Sequence, residues 1–212
     1  MMSTKEKPRQ RRADGELSRN RILDAAGEIA VERGYDGTSI GAVSAKCGLP
    51  ASSIYWHFKD KDDLIAAVIE RNYASWLATW QKMKATEFSR ESLAAASVQR
   101  AEIWRESPDF LRLGLMLALE RRPVEPRARA RFLQIRAQAT DLIAQHFSQL
   151  VPGISDRQAR LLAVYMVACT DGLFIANDIG GADVDTADLY AMNGEALYDT
   201  IMRMSAEGAG AR

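Results

Sequence analysis

Side chains that could perform catalysis or bind a metal are sparse in this 212-residue sequence. It contains two histidines, His57 and His146, and two cysteines, Cys47 and Cys169. Neither histidine has a nearby cysteine or second histidine, as a metal site or a nucleophile–base pair would require. The cysteines are 122 positions apart, a spacing that matches no metal-binding or redox motif. We therefore expect no enzymatic activity, no metal and no cofactor.

Contact with nucleic acid is the chemistry that a polar and aromatic stretch at residues 38–61 favours. Thr38 and Ser39 stand at the start of an apolar-periodic segment, where a hydroxyl oxygen can cap a helix. The backbone N–H groups of such a helix end can also meet a phosphate. Lys46 lies farther along the same segment, and it is either another phosphate contact or a solvated lysine.

Two short helices joined by a tight turn would position these side chains. Ile40, Val43 and Cys47 fall on one apolar face of a 3.6-residue period. Gly48 ends the first helix through a positive φ, and Pro50 suits the first turn of the second. This arrangement is that of a helix-turn-helix motif, whose second helix enters the major groove of DNA.

The second helix has small residues at its N-terminal end and aromatic rings at its far end. Ala51, Ser52 and Ser53 would face base edges, where a hydroxyl donates or accepts hydrogen bonds and a methyl group touches thymine. Trp56 is either a groove contact or a packed ring. Together with the flanking residues, this stretch predicts a DNA-binding surface.

Residues 22–64 resemble the DNA-binding domain of the TetR/AcrR family of bacterial transcriptional regulators. The matching pieces are ILDAAGEIAVERGYDGTSI and AVSAKCGLPASSIYWHFKDKDDL, an ordered set that is far more specific than a bare helix-turn-helix pattern. Pro50 and Ser52 stand where the family often has Ser and Gly, so the base-contacting end differs from that of relatives.

The resemblance implies roles for residues at the far end of the second helix. Tyr55 and His57 are similar to family positions that contact the phosphate backbone, as are Lys59 and Lys61. A capping or packing role is the alternative for His57. The predicted DNA-binding residues are Thr38, Ser39, Lys46, Pro50, Ala51, Ser52, Ser53, Tyr55, Trp56, His57, Lys59 and Lys61.

The rest of the chain shows helical signals only, without alternating β-branched runs or hairpin dipeptides. The sequence predicts an all-α protein of about nine helices with an N-terminal three-helix DNA-binding domain. A C-terminal helical domain for ligand binding and dimerisation follows. We expect a disordered basic arm at 1–16, the helix-turn-helix domain at 17–60 and the C-terminal domain at 61–212. Besides the two short helices, the predicted helices cover residues 17–34, 61–85, 92–106, 109–121, 126–150, 156–179 and 185–204.

Charge is distributed unevenly although the net charge is zero. Residues 1–21 hold seven basic and three acidic side chains, whereas residues 156–212 hold four basic and nine acidic ones. Affinity for DNA depends on local phosphate contacts rather than on total charge, so this asymmetry fits a DNA-binding head on an acidic body. The longest apolar run, residues 161–169, is too short to span a bilayer. We expect a cytoplasmic protein with no membrane contact and no signal peptide.

The last two predicted helices are more apolar than one chain of this size needs at its C-terminus. Proteins of the TetR family dimerise by pairing these helices with their symmetry mates in a four-helix bundle. The resemblance therefore implies a homodimer, with packing of both helices inside one chain as the alternative. The predicted dimerisation residues are Leu161, Leu162, Tyr165, Leu173, Leu189, Tyr190, Leu197, Ile201 and Met204.

The resemblance also implies a ligand cavity in the C-terminal domain. Pockets are mostly apolar with a few polar anchors, and large or soft side chains on the middle helices are the candidates for its lining. For each of them taken singly, plain core is the favoured interpretation. The predicted ligand-binding residues are Trp80, Trp104, Met116, Phe132, Tyr165, Met166, Cys169 and Phe174.

These expectations define a homodimeric repressor that binds a palindromic operator and is relieved by a small-molecule effector. Two other functions stay open: a small-molecule-binding protein with a vestigial head, and a DNA-binding dimer without a ligand. Activation in place of repression also stays open, because the position of the operator decides the sign of regulation.

Overall fold

The computed structural model describes residues 6–83, 86–106, 108–180 and 185–210, and these residues form nine α-helices and no strand. The predicted all-α class is confirmed. The helices are α1 (Glu6–Gly37), α2 (Ile40–Cys47), α3 (Ala51–His57), α4 (Lys61–Met83), α5 (Arg90–Glu106), α6 (Asp109–Leu119), α7 (Arg127–Leu150), α8 (Asp156–Ile179) and α9 (Thr186–Gly210).

Helix α1 begins earlier than the sequence predicts. The expected disordered arm covers residues 1–16, but residues 6–16 are helical, and residues 1–5 lie outside the described chain. Glu, Lys, Arg and Gln dominate this segment and are good helix formers, and Pro8 lies in the first turn, where it breaks no intrahelical bond. The predicted end at Gly34 is confirmed, because its φ of 72° and ψ of 178° interrupt α1.

Helix α2 has the caps that its sequence predicts, whereas α3 begins one residue later than expected. The Ser39 hydroxyl accepts a hydrogen bond from the backbone N–H of Ala42 at 3.1 Å and caps α2. Gly48 ends α2 at a φ of 65°, in the left-handed region where a side chain is disfavoured. Pro50 is the N-cap residue of α3, one position before the predicted first turn, and has no side-chain capping bond.

The chain divides into two compact units. Unit 1 comprises Met1–Tyr73 and Asp109–Leu133, and unit 2 comprises Ala74–Pro108 and Gln134–Arg212. Unit 1 is larger than the helix-turn-helix domain predicted at 17–60, because it also contains the first part of α4, all of α6 and the start of α7. Helices α4 and α7 each contribute residues to both units.

The core of unit 1 is built from close packing of α1 and α6. One apolar stripe of α1 is buried, with Ile22 and Ala26 fully enclosed. In α6, Leu113 is likewise fully buried. A Cβ atom built on Gly114 would lie only 2.0 Å from the ring of Phe132, so only glycine allows this aromatic ring to approach α6 so closely.

The core of unit 2 joins residues of α4, α5, α7, α8 and α9, including Trp80, Leu93 and Phe147. Helix α5 packs tightly on α9 at Gly194, where an added Cβ atom would lie 2.5 Å from the Leu93 carbonyl oxygen. Helix α8 begins with a capping box, in which Ser155 and Gln158 bond reciprocally.

Helix α8 is long and apolar enough to cross a membrane by length and composition, with an 18-residue window of mean hydropathy 1.6. The sequence predicts a helix at 156–179, but the search for a membrane span considered only uninterrupted apolar runs and therefore did not select it. One third of the window is buried inside the chain. Leu162, Ala163 and Met166 of α8 belong to the core of unit 2, and a core helix passes the same test of composition.

Candidate nucleic-acid interface

The second helix of the helix-turn-helix exposes one face and buries the opposite one. Ile54 of α3 and Phe58, which follows it, are buried. Ser52, Tyr55, Trp56 and Lys59 are exposed at positions i, i+3, i+4 and i+7. Tyr55 is 57% and Trp56 76% exposed, which is unusual for such large rings. We call these four residues the α3 face.

Residues at the N-terminal end of α3 are less exposed than Ser52. Pro50 is exposed, whereas Ala51 and Ser53 are half-buried. Of the three residues predicted to face base edges, only Ser52 is fully accessible in the free chain. The other two lie beside it with part of their surface open, so the arrangement suits close approach of the backbone to a flat or grooved surface.

The two predicted hydroxyl contacts at the start of α2 differ in their environment. Thr38 is buried, and its Oγ1 donates a hydrogen bond to the Gly34 carbonyl oxygen at 2.9 Å. Ser39 is exposed, and its Oγ uses only an acceptor position to cap α2. Its hydroxyl hydrogen is available to a phosphate oxygen, whereas that of Thr38 serves the fold.

Two of the lysines predicted as phosphate contacts are engaged within unit 1. Lys46 forms an ion pair with Glu28 at 2.7 Å. Lys61 donates from Nζ to the Tyr35 carbonyl oxygen at 3.1 Å, and its Nζ lies 4.2 Å from the centre of the Tyr35 ring. Lys59 is exposed. Lys46 is exposed as well, so its ion pair with Glu28 separates it from Lys59, whereas Lys61 differs from Lys59 in being half-buried.

His57 lies at the end of α3 between aromatic neighbours. The Trp56 ring meets it edge-on with the ring centres 4.5 Å apart. The Arg19 guanidinium of α1 lies 5.3 Å from the centre of the adjacent Phe58 ring. Burial and then the positive charge of Arg19 lower the pKa of His57 below its ordinary value. The imidazole is therefore neutral at pH 7 in the free protein, able to accept or donate one hydrogen bond.

A cluster around Tyr35 fixes the start of α4 and was not identified from the sequence. The Tyr35 hydroxyl donates a hydrogen bond to the Asp62 carboxylate at 3.2 Å. The Arg122 guanidinium lies 5.0 Å from the centre of the Tyr35 ring, in a cation–π contact. Burial, followed by the charge of Asp62, raises the pKa of Tyr35 to about 12. The motif G-Y-x-x-T-S-I contains this tyrosine, but sequence spacing alone does not reveal its distant partners.

Asp62 also caps the start of α7. Its carboxylate accepts hydrogen bonds from the backbone N–H groups of Arg127 at 2.7 Å and Ala128 at 3.0 Å. Asp60 caps α4 by accepting a hydrogen bond from the Asp63 N–H at 2.8 Å. That hydrogen bond, with help from Arg127, lowers the pKa of Asp60. These carboxylates hold α4, and with it the end of the helix-turn-helix, in a defined position within unit 1.

The residues predicted to bind a ligand are split between the two units. Met116 and Phe132 belong to unit 1, and the other six belong to unit 2. Trp80, Trp104, Phe132, Met166 and Phe174 are buried. One cleft of about 200 Å³ lies beside Asp24 and Arg71, and another of about 520 Å³ lies beside Asp141 and Arg160. None of the eight predicted residues lines either of them.

The residues predicted for dimerisation also divide by exposure. Leu162, Tyr190, Leu197 and Ile201 are buried within unit 2, and Leu173, Leu189 and Met204 are half-buried. Leu161 and Tyr165 are exposed. Leu162 of α8 and Tyr190, Leu197 and Ile201 of α9 thus pack inside their own chain, which is the alternative that the sequence left open, because periodicity cannot distinguish a core face from an interface.

Helix α8 presents a second apolar face that faces outward. Six of its exposed residues follow a spacing of four, three, four, three and four, which is the heptad pattern of helices that pack against each other. Ala168 and Gly172 place small side chains in its middle, and a Cβ atom added to Gly172 would meet open space. We call this set the α8 stripe: Leu161, Tyr165, Ala168, Gly172, Ile175 and Ile179.

Comparison with known proteins identifies the segment that contains α3. Residues 22–68 match the family model described as bacterial regulatory proteins, tetR family. The regulator AcrR of Shigella flexneri is 36% identical over 62 residues, which are 29% of this chain and 29% of that protein. The activator FasR of Mycolicibacterium smegmatis is 28% identical over 152 residues, covering 71% of this chain and 67% of FasR. The match to AcrR thus spans less than a third of its length.

Solved structures extend the likeness to both units. A transcriptional regulator from Rhodococcus sp. Rha1 has a TM-score of 0.68 at 20% identity, covering 87% of this chain and 96% of that one. A TetR-family regulator from Agrobacterium tumefaciens has a TM-score of 0.66 at 18% identity, covering 90% and 98%. At these identities the likeness shows the fold. The family model and the ordered motif of α2 and α3 together place residues 22–68 of this chain in the TetR family of bacterial regulatory proteins.

Proposed function

We propose that the chain is a sequence-specific DNA-binding transcriptional regulator that acts as a homodimer in the cytoplasm. The observation that carries the proposal is the α3 face, in which hydroxyl, phenol, indole and ammonium groups point outward from a helix whose opposite side is buried. Such groups hydrogen-bond to phosphates and base edges, and a helix of this size fits the major groove. The proposal assigns the chain no catalytic step.

The two ends of the α3 face have separate roles in the proposal. Ser52, with Pro50, Ala51 and Ser53 around it, reads base edges because small side chains allow the helix to enter the groove deeply. Tyr55 and Lys59, with the Ser39 hydroxyl on α2, bind the phosphates on either side. Thr38, Lys46 and Lys61 support these contacts indirectly, since their polar atoms have partners within unit 1.

The homodimer in the proposal forms through the α8 stripe. Its heptad spacing gives two helices a continuous apolar contact, and the small residues Ala168 and Gly172 let their backbones come close. Leu161 is 55% and Ile179 79% exposed in the single chain, so their burial on association releases water from apolar surface. A two-fold dimer carries two α3 helices, which favours a palindromic operator with two half-sites.

Regulation by a small-molecule effector completes the proposal. FadR of Bacillus subtilis, which has the same fold at 17% identity, was solved in complex with stearoyl-CoA. We propose that an effector bound in unit 2 favours a dimer whose heads are wrongly spaced for successive major grooves. Repression is the proposed sign, in line with the repressor Rv1353c of Mycobacterium tuberculosis, which is 28% identical over 117 residues. FasR is named an activator, and the operator position decides between the two.

Selection of bound sequences from random duplex DNA tests the proposal. The purified full-length chain is compared with a double variant, Tyr55→Ala with Trp56→Ala. A control double variant, Leu119→Ala with Val124→Ala, removes two equally exposed apolar side chains elsewhere in unit 1. We expect the wild type and the control to enrich one palindrome and the α3 variant to enrich none. No enrichment with the wild type at moderate salt would contradict the proposal and favour a ligand-binding protein with a vestigial head.

A further inference from the structure

One face of helix α5 carries polar side chains, and two enclosed N–H groups on it lack a hydrogen-bond partner among the described residues. Ser97, Arg100 and Trp104 lie at positions i, i+3 and i+7, so they share this face. Trp104 is only 9% exposed, and its indole N–H has no hydrogen-bond partner among the described residues. The Arg100 Nε is also enclosed and without a partner there, although another part of that residue reaches the surface.

The Arg100 guanidinium has one hydrogen bond within unit 2, from Nη2 to the Ser97 hydroxyl. No acidic side chain in the described parts of the chain forms an ion pair with it. The nearby carboxylate of Asp171, whose charge contributes to the raised pKa of Tyr190, forms an ion pair with Arg136 instead. Burial lowers the pKa of Arg100 to about 10, so it stays protonated at pH 7.

Tyr190 of α9 does not neutralise this charge. Burial raises its pKa to about 12, and the phenol is therefore uncharged at pH 7. Close packing of α5 on α9 at Gly194, one helical turn beyond Tyr190, fixes the helix from which Arg100 and Trp104 project. The unpaired donors thus belong to a rigid part of the fold, and leaving them unpaired costs stability that a bound partner would restore.

We infer that Arg100 and Trp104 form the polar anchor of a binding site in unit 2 for a small organic carboxylate with an apolar body. The Nε and Nη2 edge of a guanidinium matches the two oxygens of a carboxylate, and the indole N–H adds a third donor. Ala101, which lies between Arg100 and Trp104 in the sequence and is buried without belonging to the packed core of unit 2, is an apolar residue that suits a hydrocarbon body. The inference rests on the proposed function, because it names the class of effector.

A monovalent carboxylate fits this site better than a phosphate ester. The site offers one guanidinium charge together with a neutral indole and a neutral phenol. A monoanion is therefore compensated in full, whereas the second charge of a phosphate monoester would be buried without a partner. The uncharged donor of Trp104 can satisfy an oxygen without changing this balance.

Binding of straight-chain carboxylates by the full-length dimer, without DNA, is the test. Thermal unfolding and calorimetry are run with acetate, butyrate, hexanoate, octanoate and decanoate, and with octanol and octyl phosphate for comparison. We expect at least one carboxylate to stabilise the wild type more than octanol or octyl phosphate does. Arg100→Met and Trp104→Phe should each weaken its binding by about tenfold or more, because each removes a hydrogen bond to a charged group.

Arg105→Met is the matched control, since it removes an arginine from the exposed side of the same helix, where it pairs with Glu102. This variant should bind the carboxylate as the wild type does. Without ligand, Arg100→Met should unfold at the same temperature as the wild type or higher, because it removes a buried charge that has no counter-ion. A clearly lower unfolding temperature for Arg100→Met would assign Arg100 to the fold and overturn the inference.

Two further outcomes would also overturn the inference. In the first, no carboxylate of the series stabilises the wild type more than Arg100→Met. In the second, octyl phosphate binds more tightly than every carboxylate. Selection of operator DNA is measured separately with the same preparations, so a chain that binds DNA but no carboxylate disproves only the effector class. A chain that binds a carboxylate through Arg100 but enriches no DNA disproves the proposed function and leaves the site intact.

Discussion

The α3 face and the α8 stripe are both helix surfaces that a single chain leaves uncovered, but their chemistry differs. On α3 the exposed rings carry an O–H or N–H group and are followed by a lysine. On α8 the exposed side chains are mainly aliphatic, and small residues occupy the middle of the stripe. Exposed apolar area marks an interaction surface in both cases, and the polar tips decide which partner it suits.

The comparison explains why two large rings tolerate water at α3. Tyr55 and Trp56 have a hydrogen-bonding group at the edge of the ring. Their free energy therefore differs little between water and a partly buried contact. Leu161 and Ile175 have no such group, and only burial against another apolar surface lowers their free energy. A partner rich in phosphates therefore fits α3, and a second copy of the apolar α8 fits α8.

The largest effect is expected from a charge placed in the α8 stripe. Leu161→Glu should convert the proposed dimer to a monomer. In a two-fold interface each subunit would bury one new carboxylate without a counter-ion. Operator affinity should fall by about a hundredfold or more, because each head then binds its half-site alone. Sedimentation velocity and fluorescence anisotropy with operator DNA measure the two quantities.

Leu119→Glu is the control for this variant. It adds the same charge at an exposed leucine of unit 1, outside the α8 stripe. The control should remain a dimer with wild-type affinity. If Leu161→Glu also remained a dimer, the α8 stripe would not be the interface, and the contrast between the two surfaces would lose its basis.

A smaller effect is expected from Trp56→Ala on α3. Operator affinity should fall by about tenfold, because a ring that carries a hydrogen-bond donor leaves each half-site. The dimer and the unfolding temperature should be unchanged, since Trp56 is exposed. An unfolding temperature several degrees lower would show that the ring packs on the protein, which was the alternative interpretation of its sequence position.

Much of unit 1 could be predicted from the sequence because its determinants are local. Ser39, Gly48 and Asp60 act on backbone groups within four residues, so their roles can be inferred from type and spacing. The arm at 1–16 was an exception, since a highly charged segment fits either a helix or a disordered tail. The Tyr35 cluster could not be predicted, because its contacts with Asp62 and Arg122 join distant parts of the chain.

Unit 2 was less predictable for a physical reason. Helix α8 is apolar on nearly every side, and burial inside one chain and burial between two chains select the same residue types. Leu162 and Tyr190 were predicted as interface residues and lie in the interior. The heptad spacing of the α8 stripe was present in the sequence, but it could be separated from the core residues only once the exposure of each side chain was known.

A matched pair of lysines tests whether exposure separates DNA contacts from structural contacts within unit 1. Lys59→Ala should weaken binding to all DNA sequences about equally and reduce the slope of log affinity against log salt by about one per half-site. Lys61→Ala should leave this slope unchanged. It should lower the free energy of unfolding by about 1 kcal/mol, because it loses the Tyr35 ring and carbonyl contacts. If Lys61→Ala reduced the salt slope as much as Lys59→Ala, Lys61 would have to be counted among the phosphate contacts.

The smallest expected effect is a pH dependence that only the DNA-binding surface has. Phosphates near α3 favour the charged imidazole, so the pKa of His57 should be higher in the DNA complex than in the free protein, where burial and Arg19 lower it. A group whose pKa rises on binding takes up a proton, and operator affinity therefore increases as pH falls through the pKa of the complex towards that of the free protein. Between about pH 7.5 and about pH 6 we expect operator affinity to increase about twofold per half-site, and we expect no such increase for His57→Gln.

Dimerisation should not change over this range. Tyr165 is the only ionisable side chain in the α8 stripe, and its hydrogen bond with Cys169 raises its pKa above its ordinary alkaline value. An equal pH response of dimerisation and DNA binding would assign the titration to a group outside α3.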